Sequence, residues 1–520
     1  MFEVAELGNK ISSEEYDKEE SRLREELLQL QQDLRLAKFP VIVVFAGVDG
    51  AGKGETVNRL SSWMDPRWLV TNAYSDPSDE ESERPEFWRY WRDLPPKGQI
   101  GMFLSAWYSK PVVDHAWGRI GTPEFDEQLA RIQGFEKELA ADGALIIKFW
   151  MHLGKSQQKK RLKKLENDPH QAWRVTDNDW RNWKNYDGFI RTAERTILNT
   201  SSGENAWTIV EGEQSRYREI TVARHIRDAV RQHLKTWDIE QKVVAEALKK
   251  RAEEKQEKDS QIVDPKQVQI VPAPTRTILS TLDMTQQLER PDYKTQLKKQ
   301  QSRLNRLYRE AKARGISSML VFEGWDAAGK GGAIRRLTAA MDSRDYRVLP
   351  FAAPTDEENA HHYLWRFWRH LSRAGKVSIF DRSWYGRVLV ERIEGFARNH
   401  EWQRAYAEIN SFEEQLVEHG IVLMKYWVHI TPEEQLERFG EREKIPYKRW
   451  KLTDGDWRNR AQWGAYEMAV HEMIERTSTR NAPWTLVEGN NKYFARVKII
   501  ESYCKQLEKT LGINANDKDD

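Results

Sequence analysis

Gly324-Trp-Asp-Ala-Ala-Gly-Lys330 follows the apolar run Met319–Glu323, and Gly47-Val-Asp-Gly-Ala-Gly-Lys53 follows the apolar run Val41–Ala46. A GxxxxGK loop carries meaning only between a strand and a helix, and both copies have that setting. Glycines let backbone N–H groups close around phosphate oxygens, while the lysine brings a mobile positive charge. These two loops predict a phosphate-handling α/β fold that occurs twice in the chain.

The offset between the loops, 330 − 53 = 277, persists without gaps. Trp384 maps to Trp107, Trp427 to Trp150, His429 to His152, Trp457 to Trp180 and Trp484 to Trp207. Thr453-Asp-Gly-Asp-Trp-Arg-Asn459 repeats Thr176-Asp-Asn-Asp-Trp-Arg-Asn182. A constant period of this kind means tandem duplication of one domain. Many of the 22 tryptophans recur at matched places, as inherited structure would. We place an N-terminal domain at 1–237 and a C-terminal domain at 278–520. Between them lie a charged helical run and the Pro-containing stretch Val263–Thr277, which suits an extended linker. In each copy, helices alternate with short apolar runs, the pattern of a parallel sheet with helices on both faces.

Composition narrows the function classes. Lys+Arg 83 against Asp+Glu 81 leaves net +2, so no global field favours nucleic acid. No apolar run reaches the ~18–20 residues of a membrane helix, and the N-terminus lacks a secretory pattern. The single cysteine, Cys504, excludes an intramolecular disulfide and suits a reducing cytoplasm. A cytoplasmic protein is expected. A duplicated chain mimics a dimer, and such pseudo-dimers can pair again, so a homo-oligomer stays open.

The second copy holds the fuller set of reactive groups. Gly331 follows the loop lysine where Ser or Thr would supply a hydroxyl to Mg²⁺. Metal binding would therefore fall to other oxygens, with Asp326 inside the loop as the nearest. Past the strand Val377–Phe380 comes Asp381-Arg382-Ser383-Trp384-Tyr385-Gly386-Arg387. Asp381 stands where a Walker B carboxylate would hold Mg²⁺, and Arg382 can clamp a phosphate oxygen. Farther on, Lys444, Lys448, Arg449, Lys451, Arg458 and Arg460 cluster where a kinase lid would close.

GWDAAGKGG, DRSWYGR and YKRWKLTDGDW, in that order, resemble the polyphosphate kinase 2 family; the tandem form resembles its two-domain polyphosphate:AMP phosphotransferases. That resemblance implies a thymidylate kinase-like P-loop domain with a helical lid. It also implies Mg²⁺-dependent transfer of the terminal phosphate of inorganic polyphosphate to AMP, giving ADP. By motif position, Asp326, Lys330, Asp381 and Arg382 would be catalytic, and Asp326 and Asp381 would hold the metal. Gly324, Ala327, Ala328, Gly329, Gly331, Lys448 and Lys451 would bind the phosphate chain. If a helix starts near Arg382, then Arg387 and Glu391 would line the acceptor site. Tyr385 or Trp384 would be placed to stack on adenine, though the retained Trp107 favours a core role for Trp384. An ATP-dependent nucleoside monophosphate kinase and a nucleotide-binding scaffold remain the alternatives. AMP against GMP, ADP as acceptor, donor length and direction are left open by the residues.

The first copy keeps Asp49 and Lys53 but has Leu104 for Asp381, Ser105 for Arg382 and Lys110 for Arg387. Its lid has Gln171, Ala172 and Arg174 for Lys448, Arg449 and Lys451. A catalytically weak first copy is the expectation.

Overall fold

Two five-stranded sheets, every neighbouring strand pair parallel, dominate the computed structural model. It describes residues 1–201, 203–258, 270, 273, 276–446 and 452–513. The first sheet comprises β1 (Val41–Gly47), β2 (Leu69–Ala73), β3 (Ile100–Leu104), β4 (Leu145–His152) and β5 (Trp207–Glu211), in the spatial order 2-3-1-4-5. The second comprises β6 (Ser318–Gly324), β7 (Tyr346–Pro350), β8 (Val377–Asp381), β9 (Val422–His429) and β10 (Trp484–Glu488), ordered 10-9-6-8-7. Each strand of the second sheet starts 277 residues after its counterpart, as 318 − 41 and 484 − 207 show. Tandem duplication is thus present in the fold itself.

Burial explains the strand sequences. β1 and β6 are central and buried on both faces; β1 reads as a continuous β-branched and aromatic run, and β6 carries the apolar stretch Met319–Phe322. β2 and β7 are edge strands, half exposed, which lets β7 end on Pro350, and the Phe351 amide after it donates to the Asp381 carbonyl at 3.1 Å. The strand order reverses direction beside β1 and β6, so a crevice opens at their carboxyl ends against β3 and β8. Parallel α/β sheets bind ligands in that crevice.

Two compact units emerge, and they do not follow the chain linearly. One comprises Met1–Pro77, Arg89–Glu257 and Asp356–His362; the other comprises Ser78–Trp88, Lys258–Thr355 and Tyr363–Asp520. Within the second unit, Arg373 grips the Glu83 carboxylate with two 2.7 Å bonds. Within the first, the Lys97 amide donates to the Ala360 carbonyl at 2.7 Å. The helix Ser215–Lys258 runs on past residue 237, and most of the Pro-containing stretch lies outside the described residues. Among the described residues no helix is long and apolar enough to cross a membrane.

A lysine sits fully buried on the strand beside the central one in each sheet. Lys425 of β9 bonds Glu413 Oε2 at 2.7 Å, the Tyr385 hydroxyl at 2.9 Å and the Thr477 carbonyl at 2.7 Å. Glu413 Oε1 in turn accepts from Trp384 Nε1 at 3.0 Å and from the Tyr385 hydroxyl at 2.6 Å. Burial pushes the Lys425 ammonium down and the Glu413 carboxyl up, and each partner opposes the other's shift. Lys148, Glu136, Trp107, Tyr108 and Thr200 repeat the arrangement in the first unit. Removing one member of a buried pair strands the other charge at a cost of about 3–5 kcal/mol. Lys425→Met is therefore expected to lower the second unit's stability by about that amount in urea unfolding. Lys425→Met with Glu413→Leu should recover part of the loss, because no lone charge remains.

Candidate active site

The loop after β6 is shaped by two glycines. At Gly324 φ is 146°, and a Cβ there would meet the Val428 carbonyl oxygen at 2.4 Å. Gly329 has φ 107° and caps the helix Lys330–Thr338. Ala327 takes the left-handed φ of 65° that Gly50 adopts in the first unit. Lys330 Nζ folds back onto the carbonyls of Gly324 (2.6 Å) and Trp325 (3.1 Å), leaving it one swing from a bound oxyanion.

Asp326, Lys330, Asp381, Arg382, Ala327, Ala328, Gly329 and Gly331 all line one cleft of about 820 Å³. Asp326 Oδ2 accepts from Asn459 Nδ2 at 2.8 Å, and Arg382 Nη2 reaches Asp326 Oδ1 at 3.5 Å. The Asp381 carboxylate has no hydrogen-bond partner among the described residues, so its lone pairs are available to a cation. Arg382 holds φ 68°, which turns the chain sharply after β8 and leaves its side chain exposed toward the cleft. Gly324 shapes the loop but is not on the cleft wall. Lys448, Arg449 and Lys451 lie outside the described residues.

The residues expected at the acceptor site are placed elsewhere. Tyr385 is fully buried, and its hydroxyl serves the Glu413–Lys425 network, so its ring is closed to a nucleotide. Trp384 is equally buried and bonded to Glu413. Arg387 and Glu391 pair with each other at 3.2 Å away from the cleft wall, and Arg387 lies over the Tyr363 ring. The reason is local: no helix runs on from Arg382. A 3-10 turn, Trp384–Arg387, precedes a separate short helix, Val390–Ile393. Val390, Glu394 and the exposed Phe396 reach the cleft instead.

Other groups carried no motif. Arg438, buried, donates to the carbonyls of Ala327 and Ala328 (both 2.9 Å) and Gly489 (2.7 Å), bracing the loop from behind. Glu323, the residue before the loop, is buried and accepts from Ser383 Oγ at 2.8 Å. Burial pushes its carboxyl up, opposed by Lys330, the Ser383 hydrogen bond and Arg382. Its signal was in the internal comparison: Glu323 and Ser383 become Ala46 and Ala106.

The first unit has the same loop and a different charge pattern. Lys53 folds back onto Gly47 and Val48, as Lys330 does on its own loop. Glu55 stands where the second unit has Gly332, and it binds Arg161 at 2.6 Å, Arg174 at 2.9 Å and Arg218 at 3.1 Å. A carboxylate thus already satisfies the guanidinium groups beside the loop. Cleft residues Arg335, Arg382, Arg442, Lys492 and Arg496 correspond to Asn58, Ser105, Leu165, Ser215 and Glu219.

His429 gives the second unit a pH signature. Its Nδ1 accepts from Trp325 Nε1 at 3.0 Å, and burial pushes its pKa down to about 4. Folded His429 is therefore neutral where the unfolded chain is protonated below pH ~6.5. Stability present above pH ~6.5 is expected to fall as pH drops toward 4, by up to about 3 kcal/mol. Unfolding of His429→Asn, which keeps an acceptor, should lose that slope.

A family model described as Polyphosphate kinase 2 matches residues 10–238 and 287–514. A relative from Pseudomonas aeruginosa named polyphosphate:AMP phosphotransferase is 47% identical over 98% of this chain and 99% of its own. Another with that name, from Acinetobacter johnsonii, is 36% identical over 92% of each chain. A solved structure from Pseudomonas aeruginosa described as a polyphosphate kinase 2 superposes with TM-score 0.84 at 44% identity, covering all of both chains.

Proposed function

Because the chain belongs to the polyphosphate kinase 2 family, we propose that its second unit transfers the terminal phosphate of inorganic polyphosphate to AMP, giving ADP. The observation that carries this reading is the convergence of Asp326, Lys330, Asp381 and Arg382 on one cationic cleft. Polyphosphate offers only a strip of negative charge, so recognition needs cations in a row rather than base-reading groups. Lys330, Arg335, Arg382, Arg442, Lys492 and Arg496 provide them along the cleft wall.

Transfer between two phosphates requires alignment and charge neutralisation more than covalent help. Lys330 leaves its loop carbonyls and follows the transferring group. Arg382, held by its φ of 68°, faces the same oxygens from the β8 side. Asp326 and Asp381 would hold Mg²⁺, which would supply positive charge between donor and acceptor phosphates. Asn459 fixes one Asp326 oxygen, and the other faces Arg382 at 3.5 Å. Val390 and Phe396 present apolar surface to the adenine, replacing the buried Tyr385 in that role. The segment around Lys448 and Lys451 is the proposed cover, on sequence alone.

Glu323 is a positioning residue in this scheme. The sharp turn survives in the first unit without it, since Ser105 has φ 51° and the Trp107–Tyr108–Glu136 network is intact. The Glu323–Ser383 pair therefore accompanies Asp381 and Arg382 rather than the fold. Its carboxyl, pushed up by burial, is coupled electrostatically to Lys330 and Arg382, which is how it would aim both.

With AMP and Mg²⁺, polyphosphate should yield ADP and ATP hardly any; ADP from ATP alone would make this an ordinary nucleotide kinase. Asp381→Asn should reduce kcat by about 10³-fold or more, while Asp49→Asn stays within about threefold. Equal losses would show that both units work. Glu323→Gln should lower kcat by about 10–100-fold with KM for AMP and the thermal midpoint nearly unchanged.

A further inference from the structure

The two units fill the space under the phosphate loop differently. In the second unit Trp325 occupies it. Its ring stacks on Trp463 at 3.7 Å and 9°, with centroids 5.9 Å from Trp427 and 6.3 Å from Tyr466. In the first unit that position is Val48. The counterparts of the three ring neighbours, Trp150, Tyr186 and Phe189, line a pocket of about 140 Å³ together with Val48. This pocket has the outline of a missing indole.

Its polar groups distinguish it from a packing defect. A void of ~150 Å³ lined only by apolar groups stays dry and takes benzene. Here Asp49 and Gln158 also line the wall. Gln158 Nε2 is held by the Asp49 carbonyl at 3.0 Å, yet its buried Oε1 has no partner among the described residues. In the second unit the matching Gln435 Oε1 accepts from Arg460 Nη1 at 3.2 Å, and Arg460 corresponds to Trp183. Trp150 Nε1 is likewise buried and unpaired, as is Trp427 Nε1 in the other unit. A buried acceptor left unsatisfied is costly, and a ligand N–H would satisfy it.

We propose that the first unit binds a purine base in this pocket, carried by a nucleoside or nucleotide. A purine is a planar bicycle of indole size and stacks on the same aromatic wall. Adenine has an exocyclic amine for Gln158 Oε1 and Asp49, and ring nitrogens to accept from Trp150 Nε1. The neighbouring arginines are already held by Glu55, so a 5′-phosphate would meet only Lys53 among the cations on the pocket wall, and adenosine should bind nearly as well as AMP. This site is separate from the proposed phosphotransfer, because binding needs no polyphosphate and no second-unit residue.

The test is calorimetric titration of the full chain with adenosine, without polyphosphate, comparing wild type with Val48→Trp. The indole is expected to remove one adenosine site per chain, weakening it by about tenfold or more. Second-unit turnover of AMP should stay within about twofold, reporting intact folding. AMP at the Val48-dependent site should match adenosine; a tenfold preference for AMP would still support a purine site and make the ligand a nucleotide. Adenosine binding unchanged in Val48→Trp, or absent in wild type, overturns the proposal. Should Val48→Trp fail to fold, Gln158→Leu removes the unpaired acceptor: at least tenfold weaker binding supports the site, and unchanged affinity overturns it.

Discussion

A charged lysine buried on the strand beside the central one in each sheet constrains everything around it. An ammonium without water must be met by a carboxylate and further acceptors, and Lys425 finds them in Glu413, Tyr385 and the Thr477 carbonyl. Those partners come from the helix Asn399–Glu418, the turn after β8 and the end of the helix Trp463–Thr477. One network therefore fixes how three elements meet β9. It also fixes where the chain runs immediately after Asp381 and Arg382. Lys148 does the same in the first unit, although no Asp–Arg pair follows β3 there. The network belongs to the fold, and the chemistry is added to it.

On that shared frame, the two units diverged at the groups that face a phosphate. The second unit lines its cleft with guanidinium and ammonium groups and assigns buried Arg438 to bracing loop carbonyls. In the first unit, Arg161 turns to Glu55, and Arg218 takes over the bond to the Gly212 carbonyl that matches Arg438's bond to Gly489. Neutralising a cation cluster with an internal carboxylate removes its attraction for an external oxyanion without unfolding anything. The backbone of the loop can then persist while its original ligand is lost. Val48 and Ala46, smaller than Trp325 and Glu323, open space beneath that loop.

Much of this was legible in the chain. A period of 277 residues, the loop glycines and the apolar runs before them specify two copies of a parallel α/β domain, because backbone close approach and strand burial each demand particular residue types. The shared cleft position of Asp326, Lys330, Asp381 and Arg382 was legible too, since it is set by loop and strand ends a few residues away. The placement of Arg387 and Glu391 off the cleft wall was not. Arg387 and Glu391 would share a face only if a helix continued from Arg382, and the left-handed turn there breaks that periodicity.

The sequence by itself determined the duplication, the strand order's raw material and the inequality of the two loops, all of which depend on local pattern. Only the tertiary structure decided which side chains look outward. Tyr385 and Trp384 carry rings that would suit a nucleobase, yet a buried lysine 40 residues downstream of Tyr385 claims them. Glu323 reads as the end of a strand until Ser383 is brought to it across the sheet. The physical reason is the same each time: burial and long-range hydrogen bonding assign a side chain's role, and neither is written in its neighbours along the chain.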